Sequence, residues 1–166
     1  MLSFLKKRQE PEEKVRELKA YISGKVIPIE EVADEVFSSK ALGDGIGIEP
    51  TGDTVYAPCS GTVSVVMADS KHAVGMTLNN GAEILIHEGL DTVNMQGEGF
   101  EVFVKEGDKV AAGQKLIQFD SQPIRECGYG LTCVLVVTNM EEFPGIRFVT
   151  GEEAVQGETT VVVFEA

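Results

Sequence analysis

From Tyr21 onward the chain runs in short Val/Ile-rich stretches, each broken within a few residues by Gly, Pro, Asn or Asp. Branched side chains favour extended backbone, and the breakers allow the tight reversals between strands. With 18 glycines in 166 residues, many such turns can be built. Helical periodicity is absent after residue 20, apart from ambiguous stretches at 30–34 and 141–143. The pattern predicts an all-β protein, an antiparallel β-sandwich or flattened barrel. Ser23-Gly24-Lys25-Val26 is echoed by Ser60-Gly61-Thr62-Val63, each opening an apolar run after a turn, which suggests two similar halves.

The segment 1–20 reads as a leader and 21–166 as one domain, long enough for a sizeable core. Pro11 to Ala20 suits a short helix, with Pro in the first turn and Val15 and Leu18 three apart. The tip, Met1 to Arg8, has its basic cluster after its apolar residues, the reverse of a secretory signal. It reads as a frayed tail or as a weak membrane-surface anchor, with Leu2, Phe4 and Leu5 inserting. No apolar run approaches the ~20 residues of a membrane span. The net charge of −13 disfavours nucleic acid and anionic lipid as partners and points to a protein surface. Cys59, Cys127 and Cys133 are odd in number and lack zinc-like spacing. They read as small hydrophobes in a reducing cytoplasm.

Chemistry concentrates at the only two histidines, His72 and His87, which flank a hairpin signal. Asn79-Asn80-Gly81 marks the reversal between two extended runs. A loop of Asn79-Asn80 puts His72 directly opposite His87, and a loop of Asn80-Gly81 makes them diagonal neighbours. Either register brings the rings within about 5–8 Å. A three-residue loop sends them to opposite faces, because side chains alternate. Alternation also sets Ile84 and Ile86 on one face of the second run and Glu83, Leu85 and His87 on the other. With the isoleucines inward, the pair lies in an apolar surround suited to protein docking.

Other catalytic patterns are poorly supported. Gly-x-Ser-x-Gly, His-Glu-x-x-His and His-x-His are all missing, as is the Met-Lys-Met tip of a biotinyl carrier. Gly43-Asp44-Gly45-Ile46-Gly47 has no lysine at phosphate-loop spacing and reads as a turn. A zinc hydrolase is therefore a weak reading, and neither cofactor nor metal is expected. The run Gly107-Asp108-Lys109-Val110-Ala111-Ala112-Gly113-Gln114-Lys115-Leu116 is similar to turns of sandwiches related to biotinyl and lipoyl carriers.

Gly81-Ala82-Glu83-Ile84-Leu85-Ile86-His87-Glu88-Gly89-Leu90-Asp91-Thr92-Val93 resembles the active-site signature of the glucose-family IIA component of the bacterial sugar phosphotransferase system. Ser70-Lys71-His72-Ala73 resembles that family's second-histidine motif. Similar segments include Val32 to Phe37, Gly43 to Pro50, Ala57 to Val63 and Gly97 to Phe100, and the likeness extends from about Ser23 to Val162. The resemblance implies a sandwich of the duplicated hybrid motif type and a phosphotransferase with a phosphohistidine intermediate. His87 would accept the phosphoryl group from the carrier HPr on Nε2 and pass it to a cysteine of a IIB domain. His72 and the Ser70 hydroxyl belong to the site, His72 donating to the phosphoryl oxygens, while the Gly89 carbonyl fixes the His87 tautomer. Phe37, Leu42, Val74, Leu85 and Val93 match the family's apolar partner surface, and Asp34 and Asp91 match acidic residues near the site.

Glu88 departs from the pattern, replacing an aliphatic or aromatic residue, and Ser70 stands for a common Thr. With no IIB or membrane-spanning IIC motif, the chain reads as a free-standing IIA protein working in trans. A monomer suits a shuttle that must expose its docking face. The alternative is a regulatory module of the same fold that signals by docking without relay.

Overall fold

The computed structural model describes residues 13–165, so the tip at 1–8 lies outside the described residues. In chain order the strands are β1 (Glu17–Lys19), β2 (Gly24–Pro28), β3 (Asp44–Pro50), β4 (Thr54–Tyr56), β5 (Gly61–Val66), β6 (Ala73–Thr77) and β7 (Glu83–Glu88). They continue as β8 (Phe100–Val102), β9 (Lys109–Val110), β10 (Lys115–Phe119), β11 (Cys133–Val137), β12 (Arg147–Phe148), β13 (Glu153–Ala154) and β14 (Thr160–Val163). Two short helices, α1 (Glu35–Ser38) and α2 (Ser121–Glu126), interrupt them. The ambiguous stretches near 30 and 141 include 3-10 turns, Ile29–Glu31 and Met140–Glu142.

Eight strands form one antiparallel sheet in the order β13-β2-β3-β11-β7-β6-β5-β9. Two three-stranded sheets, β4-β10-β8 and β1-β14-β12, complete the architecture. The main core joins all three through residues such as Leu18, Ile48, Met76, Ile86, Ile117 and Val162. This is the antiparallel sandwich expected from the alternating runs, and the sheets do not close into a barrel.

The internal echo corresponds to two matching corners of the large sheet. Gly24 opens β2 and faces Ala154 of the two-residue strand β13, while Gly61 opens β5 and faces Val110 of the two-residue strand β9. Val26 exchanges backbone hydrogen bonds with Glu152 and Gly151 (3.0 and 2.9 Å), just as Val63 does with Asp108 and Gly107 (2.8 and 2.8 Å). Gly107 and Gly151 hold φ of 92° and 96°, so each corner turns on a left-handed glycine.

The expected amino-terminal helix is not formed at 13–20. β1 pairs with β14, the Lys19 N–H donates to the Pro58 carbonyl, and Leu18 and Ala20 are buried. A ten-residue helix is marginal alone, whereas an edge strand gains ladder hydrogen bonds and buries its leucine. The hairpin tip adds a clamp: the Val15 N–H donates to Asn79 Oδ1 (2.8 Å), and the Asn79 and Asn80 amides donate to the Glu13 and Val15 carbonyls (2.9 and 3.2 Å). Leu18→Ala is therefore expected to cost about 2–5 kcal/mol in urea unfolding, where a peripheral leader would lose almost nothing.

Candidate active site

The β6–β7 hairpin takes the register expected to separate the histidines. Leu78 faces Ala82 across the three-residue loop 79–81, and Ala73, not His72, lies opposite His87. The rings nevertheless meet, with centroids 4.4 Å apart and planes at 89°. His72 precedes the regular part of β6 and follows Lys71, whose φ is +59° in the tight turn closed by Lys71 N–H to the Met67 carbonyl. The alternation rule governs a pleated ladder and lapses where the chain enters it. The Glu88 N–H donates to the His72 carbonyl (2.7 Å), tying the two strand ends together at the backbone.

A third ring closes the cluster: Phe37 of α1 lies edge-on to His87 at 4.9 Å. Helix α1 is started by Asp34, whose side chain accepts from the Val36 N–H at 2.9 Å. Burial lowers the pKa of His87 to about 4, with the neighbouring His72 adding to the effect. The Gly89 backbone and the Asp34 charge oppose this only in part. Burial also lowers the pKa of His72. Both rings are thus neutral near pH 7, and the His87 lone pair is available as a nucleophile. Nδ1 of each ring is buried without a hydrogen bond of standard geometry, although the Gly89 backbone lies near enough to favour protonated His87.

The surround divides by face. His87 lies opposite Val134, and Leu85 opposite Val136. These valines join Ile29, Val32, Phe37 and Leu90 in a second apolar cluster, separate from the main core. Leu42 and Val93 are exposed, and Leu85 is half-buried on the His87 face. Val74 is different: it pairs with Ile86, is fully buried in the main core and offers no surface to a partner. In this register, the residues of β6 that share a side with Ile86 point inward. Ser70 is buried on the turn before His72, and a groove joins it to Met67, Lys71, Val93 and Gln96. Asp91 adopts φ +64° beside Gly89 at +82°. Sequence reasoning missed Val134 and Val136, although the unbroken run Cys133-Val134-Leu135-Val136-Val137 carried the signature of a strand buried on both faces.

Glu88 occupies the other face of β7, fully buried beside Cys133. Neither carboxyl oxygen has a hydrogen-bond partner of standard geometry. Burial pushes its pKa well above the usual carboxylate range; the Cys133 thiol offsets part of the rise, and the Glu49 charge adds to it.

The phosphoenolpyruvate-dependent sugar phosphotransferase system EIIA 1 family matches residues 16–143. The chain is 45% identical over 143 residues to the "PTS system glucose-specific EIIA component" of Bacillus cereus, covering 86% of each chain. It is 38% identical over 162 residues to the same-named protein of Oceanobacillus iheyensis, covering 98% of each. A solved structure, glucose permease IIA from Mycoplasma capricolum, superposes with a TM-score of 0.83 at 33% identity over 99% of this chain and all of that one. The antiparallel sandwich is the fold that this chain shares with that structure. The chain belongs to the EIIA 1 family of the sugar phosphotransferase system.

Two pH experiments follow from the buried groups. In a histidine NMR titration, His87 should protonate with a midpoint near 4, not near 6.5. For Glu88, the folded chain holds a proton that the unfolded chain has released, from the ordinary glutamate value of 4.5 up to the raised folded pKa. Across that window stability falls as pH rises, by up to about 1.4 kcal/mol per pH unit. Glu88→Leu removes this loss, so its urea-unfolding advantage over the parent should widen between pH 5 and pH 8.

Proposed function

We propose that the protein relays a phosphoryl group from the phosphohistidine of HPr to a cysteine of a IIB domain, with His87 as the intermediate acceptor. The contact between two neutral imidazoles carries this reading. Because Nδ1 of His87 is buried, Nε2 is the nitrogen a phosphorus atom can reach. As the N–P bond to HPr breaks, a new bond forms to His87 Nε2. It is broken in turn when the IIB thiolate attacks. His72 serves as donor to the phosphoryl oxygens, with the Ser70 hydroxyl beside it. Phosphoryl transfer proceeds through a loose transition state, so placement and hydrogen-bond donors supply most of the rate.

The second apolar cluster and the exposed Leu42 and Val93 make the docking face, joined by Leu85 and Phe37. Such a face keeps water from a labile phosphoramidate while accepting more than one partner. Asp34 and Asp91 repel the incoming phosphate and help orient it. The protein works as a cytoplasmic monomer, and glucose is the first sugar to test because its named relatives are glucose-specific.

Incubation with phosphorylated HPr should label the protein with an acid-labile, base-stable group that a glucose-type IIB domain then removes. Label persisting on His87→Gln, or none on the parent, would refute the assignment.

A further inference from the structure

The loop that follows the acceptor histidine is held from both sides. The Glu88–Gly89 peptide donates its N–H to the Thr132 carbonyl at 2.9 Å, and its own carbonyl accepts the Thr92 hydroxyl at 2.6 Å. Thr92 is fully buried. Its methyl lies so close to Gly89 that a Cβ there would come within 2.4 Å of Cγ2. Gly89 holds φ +82° and Asp91 +64°, so the chain makes a left-handed reversal over this one side chain. The next residue, Leu90, is fastened by its N–H to the Gly130 carbonyl at 2.9 Å. A surface threonine would suffice to start the 3-10 turn at Thr92–Met95; a buried one bonded back to residue 88 restricts how the intervening peptides can rotate.

We propose that Thr92 is a positioning residue for His87: its buried hydroxyl fixes the Glu88–Gly89 peptide and, with the Leu90 N–H fastened to Gly130, sets the turn that carries the Gly89 carbonyl toward Nδ1 and leaves Nε2 free. The proposal rests on the reading of His87 as phosphoryl acceptor. Nδ1 of His87 is buried without a hydrogen bond of standard geometry, and the Gly89 backbone, two residues on in this loop, lies near enough to act on the ring. Without the hydroxyl, the Glu88 carbonyl loses its side-chain donor, and the peptide that orients Gly89 is tethered through its N–H alone.

The test is nitrogen-15 NMR of the histidines in the unphosphorylated full-length protein, alongside the rate of labelling by phosphorylated HPr. The parent and Thr92→Ser should show His87 with Nδ1 protonated and Nε2 bare. Thr92→Val, which keeps the shape and loses the hydroxyl, should show mixed tautomers and take label roughly tenfold more slowly. Thr92→Ala carries the same expectation should the valine variant fail to fold. An unchanged His87 spectrum in a folded hydroxyl-free variant overturns the proposal, even if that variant melts earlier. A parent spectrum with Nε2 protonated overturns it without any variant. If the spectra behave as expected but the parent takes no label, the acceptor reading falls and the positioning of the ring stands.

Discussion

Strand β11 is buried along its whole length, and its two faces serve different clusters. Cys133, Leu135 and Val137 enter the main core, while Val134 and Val136 support the histidine site. Its pairing with β7 sets Ile86 against Leu135 and His87 against Val134. A slip of one residue would drive His87 into the main core and bring isoleucine to the site. Two dissimilar apolar clusters, one on each side of the sheet, hold that register. Three features of the site follow from it: Phe37 against His87, Leu85 on the same face, and Glu88 turned away.

The end of β7 therefore carries two ionisable groups on consecutive residues and opposite faces. Burial acts on both and favours the uncharged state of each, so it depresses the histidine and raises the glutamic acid. The Glu88 side chain bears mainly on fold stability, because it faces Cys133, and Tyr21 is packed in the same core. The backbone of Glu88 belongs to the site nonetheless, joined to His72 at its N–H and to Thr92 at its carbonyl.

Two matching corners belong to the scaffold, and asymmetry supplies the site. The matched corners at Val26 and Val63 are built with the same backbone bonds, yet the chain has histidine only on the β6–β7 hairpin. The clamp between the hairpin tip and residues 13–15 lies at the end of that hairpin away from the rings. The amino-terminal approach is thereby fastened at a distance from the two rings.

Local pattern determined a good deal by itself. Breakers between branched runs specified an all-β chain, the repeated Ser-Gly openings marked two similar corners, and alternation put Ile84 and Ile86 inward and His87 outward. These depend on neighbours in sequence and on a period of two, so they are legible without coordinates. The hairpin loop, the burial of Val74 and the strand at residues 17–19 were decided by tertiary packing. Asn79-Asn80-Gly81 fits more than one loop length, and the choice among them came from matching two apolar faces across β11 and β6. The rings meet because the chain enters the ladder through a left-handed Lys71, a backbone state that residue type alone does not specify. Leu18 became a strand residue because β14, some 140 positions later, offered a ladder partner beside the main core that buries it.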